Sequence, residues 1–160
     1  MPQSANDLAL AIETKMGEAW LPRIYRERIL SLRTRAYEFP ALAKRAEPKI
    51  HHTLLGIELK VGRRRMLCPD LATARYLAVF ARAGCKAVAI PYDITKISQI
   101  ADELESSWHR MFLLLDEVTR DESLRMRTQR FLVTRVRNEI ASVGAGAPAP
   151  KFAQSTKQRR

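Results

Sequence analysis

The residue types best suited to chemistry or to anion binding are concentrated in one short stretch, residues 56–70. Glu58 and Lys60 lie two positions apart, so a strand would place them on the same face. A carboxylate beside an ammonium group can bind a cation or orient water, whereas guanidinium groups suit phosphate because they form a rigid fork of donors. Three consecutive guanidinium groups follow in this stretch, on Arg63, Arg64 and Arg65.

Apolar and polar residues alternate from residue 55 to residue 61, which is typical of a half-buried strand. With Gly62 and Arg63 as a two-residue turn, the pattern predicts a hairpin. In that register Leu59 faces Met66 and Ile57 faces Cys68, while Lys60 lies opposite Arg65 on the other face. Like charges in directly opposed positions disfavour strand pairing unless an anion lies between or above them.

Glu58-Leu59-Lys60 resembles the E-x-K half of the motif of the PD-(D/E)xK nuclease superfamily, and the similarity extends over residues 54–92. The resemblance implies that two acidic residues hold a divalent metal and that Lys60 helps to orient the attacking water. The family places its first acid on a preceding strand. Here the nearest upstream candidate is Glu47, in a segment that reads as a loop before Pro48.

The last helix predicted from the sequence carries a second set of arginines. At about 100° per residue, these gather on one broad arc: Arg120, Arg127, Arg130, Arg135 and Arg137. The opposite side is expected to face the core through Met126, Leu132, Val133, Val136, Ile140 and Val143. Phe131 falls inside the basic arc, where it could stack on a base or a sugar, pack on another subunit, or remain a single exposed aromatic.

The formal net charge of +11 favours a polyanionic partner. Acidic residues instead gather on the helix predicted after Asp93, so the charge is segregated by element. No apolar run approaches the roughly 20 residues of a membrane helix. The first twenty residues contain Asp7, Glu13 and Glu18 and resemble neither a signal peptide nor a transit peptide, so a cytoplasmic location without membrane insertion is expected.

Cysteine and histidine spacing predicts neither a metal site nor a cofactor. Cys68 and Cys85 form no CxxC pair, and we expect both to be free, buried thiols. His51 and His52 are adjacent, so on a strand they would point to opposite faces.

Periodicity and capping residues predict the order α-α-β-β-α-β-α-α. The expected fold class is α/β or α+β, with a small three-stranded mixed sheet, made of the hairpin plus one crossover strand in parallel pairing, flanked by helices. The helices are expected at residues 5–16, 22–39 (with a helical turn at 41–46), 70–83, a long helix capped by Asp93, and one starting in the capping box at 119–122 and running to about Val143. The third strand is expected at residues 87–90.

The preferred hypothesis is a non-catalytic protein with one globular domain, residues 1–145, and a disordered basic tail, residues 146–160. It would bind nucleic acid, RNA rather than DNA, through Arg63, Arg64, Arg65, Arg120, Arg127, Arg130, Phe131 and Arg137. One alternative is an assembly subunit that docks an acidic protein or a second copy of itself. Another is a metal-dependent nuclease that uses Glu58 and Lys60.

Overall fold

A computed structural model describes residues 4–40 and 47–145 and shows an α+β fold. The helices are α1 (Ala5–Met16), α2 (Leu21–Ile24, continued by a π-helical turn, Tyr25–Ile29), α3 (Leu71–Ala83), α4 (Ile97–Val118) and α5 (Glu122–Val143). The strands are β1 (Thr34–Glu38), β2 (Lys49–Thr53), β3 (Gly56–Val61), β4 (Arg64–Cys68) and β5 (Ala87–Pro91). The predicted turn at 41–46 and the predicted tail lie outside the described residues.

Local capping explains where several helices begin and end. The Ser4 hydroxyl accepts a hydrogen bond from the backbone N–H of Asp7 at 3.1 Å, which closes the capping box of α1. The Asp70 carboxylate caps α3, because it accepts a hydrogen bond from the backbone N–H of Thr73 at 2.8 Å. Gly84 ends α3 with a positive φ of 81°, a conformation that favours glycine. The predicted bounds of α1 and α3 are therefore confirmed.

The three-stranded sheet has the order β2-β3-β4 and is antiparallel throughout. Leu59 pairs with Met66, Ile57 with Cys68, and Lys60 with Arg65, so the predicted hairpin register is confirmed. The third strand is β2, which the sequence analysis did not identify. The pattern of residues 49–53 is weak because only Ile50 is apolar.

The predicted parallel pairing of the crossover strand is wrong. Strand β5 pairs antiparallel with β1 in a separate two-stranded sheet, with Thr34 opposite Pro91 and Glu38 opposite Ala87. The helix predicted at residues 22–39 is also wrong in its second half, since residues 34–38 form β1. Backbone hydrogen bonds to a strand some fifty residues away override the local helical pattern here.

Helix α3 lies at the centre of the core and is enclosed on several sides. Its buried residues pack against β3, α4, α5 and the β1–β5 sheet, and the largest of them are Tyr76, Leu77 and Phe80. Strand β5 is held on its second edge by tyrosines. The Tyr25 hydroxyl accepts from the backbone N–H of Ala89 at 2.9 Å, and the Tyr76 hydroxyl donates to the Ala89 carbonyl at 2.5 Å.

Two predicted helix starts differ in detail from those in the structure. Asp93 caps a short 3₁₀ turn, Ile94–Lys96, rather than α4 itself. Asp121, not Thr119, is the N-cap of α5, and its carboxylate accepts from the backbone N–H of Ser123 at 3.1 Å. Among the described residues, no helix is both long enough and apolar enough to cross a bilayer.

Candidate nucleic-acid interface

The three-stranded sheet has one face toward α3 and one face toward solvent. Leu59, Val61, Met66 and Cys68 are buried on the inner face. The outer face carries one cation on each of the three strands, and the pairings place these cations directly opposite one another: Lys49 opposite Lys60, and Lys60 opposite Arg65. We call Lys49, Lys60 and Arg65 the cation row. Because neighbouring strands lie about 4.8 Å apart, the row spans roughly 10 Å.

The carboxylate nearest to the cation row is that of Glu58, one pair along the sheet. Its Oε1 atom lies 3.9 Å from Nε of Arg65, at the limit of a salt bridge, and Arg65 is largely exposed. The Glu58 side chain is only 19% exposed, but a pair at this distance with one partner in water contributes little stabilisation. Within residues 4–40 and 47–145, Lys49 and Lys60 have no carboxylate within salt-bridge distance. The row therefore keeps an uncompensated positive charge.

The arginines of the described residues fall into two groups. One group is held by carboxylates at 2.9 Å or less: Arg23, Arg28, Arg75, Arg82, Arg125 and Arg135. The other group has no carboxylate that close in the described part of the chain, and it contains six of the predicted binding residues: Arg63, Arg65, Arg120, Arg127, Arg130 and Arg137. Arg64 lies two residues before Met66 on β4 and therefore shares its inner orientation, and it is not among the arginines without a partner.

Helix α5 presents four of the predicted residues on one stripe, which we call the α5 basic face. Arg127, Arg130 and Phe131 are exposed, and Arg137 is half-buried. Phe131 is 44% exposed. Arg127 and Arg137 are held only by uncharged groups, namely the Ser123 carbonyl for Arg127, and the Ala83 carbonyl and Thr134 hydroxyl for Arg137.

Two expectations for α5 are wrong. Arg135 does not belong to the basic arc, because its Nε donates to Glu13 of α1 at 2.8 Å. Met126, expected in the core, is exposed. Helix α1 packs against the side of α5 next to the predicted stripe, and this rotates the buried face toward Arg135 and away from Met126.

The C-terminal end of α3 lies between the segment ahead of β2 and helix α5. Only Pro69 and Asp70 separate β4 from α3, so α3 runs back along the sheet toward the β3–β4 turn. At that end Arg82 binds Glu47, just ahead of β2, at 2.7 Å. On the other side, Nη1 of Arg137 donates to the Ala83 carbonyl at 3.3 Å. The end of α3 thus contacts Glu47 on one side and Arg137 on the other, whereas the cation row lies on the sheet face that points away from α3.

Arg120 lies outside α5 and is not part of the α5 basic face. It precedes α5, whose first residue lies about 22 Å from Arg137 along the helix axis at 1.5 Å per residue. The sequence analysis placed Arg120 on the same arc because angular spacing ignores displacement along the helix. Arg63 lies in the β3–β4 turn and is exposed, beside the end of the cation row.

The structure shows which residues of the nuclease-like motif lie near Glu58. Glu58 and Lys60 share the outer face of β3, but Glu47 is engaged with Arg82 at 2.7 Å. Within the described residues, no group of three His, Cys, Asp or Glu side chains is arranged to hold a metal ion. The likeness to the nuclease motif is therefore limited to Glu58 and Lys60.

Two basic features of the structure were not predicted from the sequence. Lys49 was missed together with β2, although Thr53 and Gly56 flanking a short turn are a hairpin signal. The second feature is an exposed cluster in which the guanidinium carbons of Arg33 and Arg35 lie 4.9 and 6.0 Å from the ring centroid of Tyr92. The sequence analysis had assigned these two arginines to a helix.

The acidic side chains of α4 are gathered elsewhere. A surface groove of about 600 Å³ lies between α2 and α4, and its lining includes Glu18, Glu27, Asp102 and Glu103. Arg28 and Arg110 line the same groove, and Arg28 binds Glu103 at 2.7 Å. The acidic residues of α4 thus lie among arginines of neighbouring helices, so the expected segregation of charge by element is only partial in the fold.

The thiols are free and buried, as expected. Burial raises the pKa of Cys85 to about 12 and also raises that of Cys68. Because the thiolate is the reactive form, neither side chain is suited to act as a nucleophile near neutral pH.

Comparisons of the chain with models of known protein families, with curated proteins and with solved structures found no significant match.

Proposed function

We propose that this protein binds nucleic acid, with phosphates of the ligand lying over the cation row. The observation that carries the proposal is the direct opposition of Lys49, Lys60 and Arg65 on three neighbouring strands of a solvent-facing sheet. Opposed like charges cost a sheet stability, about 0.2–1 kcal/mol per pair. A polyanion bound above the row offsets that repulsion, because each backbone phosphate brings one negative charge between neighbouring cations.

In this proposal the α5 basic face is a second contact region for the ligand. Arg127, Arg130 and Arg137 supply further phosphate contacts, and Phe131 supplies an exposed ring for stacking. Base–aromatic stacking is independent of sequence and contributes about 1–3 kcal/mol per base. Unpaired bases are accessible to such a ring, and sequence-specific RNA recognition concentrates on unpaired segments. RNA with single-stranded regions is therefore the ligand that we favour over DNA.

A salt titration with a fluorescent single-stranded RNA tests the proposal. Each phosphate contact lowers the slope of log affinity against log salt by about 0.7 on a single strand. Replacing Lys49, Lys60 and Arg65 by Gln should therefore reduce the magnitude of the slope by about 2 and weaken binding most at low salt.

A charge-matched control removes three cations elsewhere, through Gln at Lys15, Arg26 and Lys96, all of which are exposed. We expect this control to bind nearly as well as the wild type. The proposal is refuted if the wild type binds no nucleic acid at low salt, or if both triple variants lose affinity equally.

A further inference from the structure

The most exposed apolar side chains of the described residues lie side by side at the tip of the β2–β3 hairpin. Leu54 is 106% exposed, as much as in an extended peptide, and Leu55 is 85% exposed. Single exposed leucines are common, whereas contiguous exposed apolar surface marks interaction sites. We call Leu54 and Leu55 the leucine tip.

The turn that carries the leucine tip is ordered by its own hydrogen bonds. The Thr53 hydroxyl donates to the Gly56 carbonyl at 2.9 Å and accepts from the backbone N–H of Leu55 at 3.1 Å. Gly56 has a φ of 127°, which side-chain-bearing residues rarely adopt. These contacts hold both leucines outward without a partner from the described part of the chain.

The apolar surface continues from the tip onto the outer face of the sheet. Leu67 is 65% exposed there, and a β-carbon at Gly56 would lie 3.8 Å from its Cδ1 atom. Farther along the same face lies the cation row. Lys60 lies four positions after Gly56 on β3, so at 3.3 Å per residue the cation row is about 13 Å from the base of the tip.

We propose that the leucine tip inserts between neighbouring bases of the bound nucleic acid at a weakly stacked step, such as a bulge. This inference rests on the proposed function. Proteins that bend nucleic acid commonly use leucine or similar apolar side chains as wedges that unstack a base step. A duplex carries one negative charge per about 1.7 Å of axis, so phosphates are available to the cation row about 13 Å from the wedged step.

The arrangement favours a polymer over a membrane surface as the occupant. If the leucine tip entered a bilayer end-on, the cation row would lie about 13 Å from the membrane surface and the β3–β4 turn about 20 Å from it. Both distances exceed the Debye length of about 8 Å at physiological ionic strength. A polynucleotide lying along the strands contacts the tip, Leu67 and the row at the same time.

Three fluorescent RNAs test the wedge: a perfect duplex, the same duplex with a single-nucleotide bulge, and a single strand. The bulged duplex carries 2-aminopurine beside the bulge, so that unstacking raises its fluorescence. The wild type should prefer the bulged over the perfect duplex by roughly tenfold, which is 1.4 kcal/mol, and should raise the fluorescence. The double variant Leu54→Ser and Leu55→Ser should lose both effects and keep the salt slope on the single strand.

The matched control is Leu113→Ser, which changes an exposed leucine of α4 (48% exposed). It should behave as the wild type, and circular dichroism should show that both variants are folded. The wedge is refuted if the double variant keeps the bulge preference and the fluorescence rise. It is also refuted if the double variant loses binding to phosphatidylserine vesicles while its RNA binding is unchanged. In both cases the proposed function stands, whereas absence of any RNA binding by the wild type refutes both.

Discussion

The hydroxyl of Tyr25 accepts a hydrogen bond from the backbone N–H of Ala89 at 2.9 Å, although 64 positions separate the two residues. The same hydroxyl donates to the carbonyl of Gly144 at 2.6 Å. One side chain of α2 therefore ties the free edge of β5 to the end of α5. Ala89 is fully buried, so its N–H has no access to water as an alternative partner.

Tyr25→Phe should destabilise the fold by about 1–3 kcal/mol, because it leaves the buried Ala89 N–H without an acceptor. The measurement is the free energy of unfolding from urea denaturation. Tyr37→Phe is the matched control, since the Tyr37 hydroxyl makes no hydrogen bond to the described residues. Its effect should stay within about 0.5 kcal/mol. Equal stability of the two variants would contradict the role given to the Tyr25 hydroxyl.

Stability should fall in alkaline solution. Burial raises the pKa of Tyr25 from 10.0 to about 12 and that of Cys85 from 9.0 to about 12. A pKa raised by folding means that the neutral form is favoured in the folded state. The stabilisation is therefore complete below pH 9, declines as the unfolded chain ionises, and is lost near pH 12.

The alkaline effect can be assigned to Tyr25 by comparing variants. Urea denaturation from pH 8 to about pH 11 should show that the free energy of unfolding declines less steeply for Tyr25→Phe than for the wild type. The decline for Tyr37→Phe should be close to that of the wild type. Burial also raises the pKa of Tyr37, so its contribution should be visible but smaller. A wild-type stability that stays constant up to pH 11 would show that neither Tyr25 nor Cys85 is desolvated.

Lys60→Gln should change stability and ligand binding in opposite directions. Removing the middle cation relieves two like-charge pairs, so the free energy of unfolding should rise by a few tenths of a kcal/mol. Affinity for single-stranded RNA should fall at low salt because one phosphate contact is lost. Lys15→Gln on α1 should change neither quantity appreciably. A loss of stability in the Lys60 variant would indicate that this lysine is a structural element of the sheet.

Gly84→Ala should destabilise the fold through two separable effects. Alanine at a φ of 81° is strained by about 1–2 kcal/mol. In addition, its β-carbon would lie 2.9 Å from Nη1 of Arg137, which must then leave the Ala83 carbonyl. Urea denaturation of a double-mutant cycle with Arg137→Ala separates these terms, because the Gly84 substitution should cost less in the Arg137→Ala background. If the Gly84 substitution lowers the free energy of unfolding equally in the two backgrounds, displacing the Arg137 side chain costs no measurable free energy.

Local sequence was sufficient for the elements whose signals lie within a few residues. Ser4 and Asp7 cap α1, Asp70 and Gly84 bound α3, and the alternation around Gly62 sets the β3–β4 register. Each of these depends on hydrogen bonds or side-chain periodicity within one turn or one hairpin. The direct opposition of Lys60 and Arg65 followed from the same register and was therefore available before the tertiary structure.

Only the tertiary structure decided what pairs over long distances. It placed residues 34–38 in a strand against β5, added β2 to the hairpin, and thereby brought Lys49 beside Lys60. It also sorted the arginines, since Arg135 meets Glu13 across a helix interface while Arg137 meets the end of α3. The composition of the chain determined a surplus of positive charge. Which of those charges remain free of carboxylates depends on contacts between segments far apart in the chain, and no local pattern encodes them.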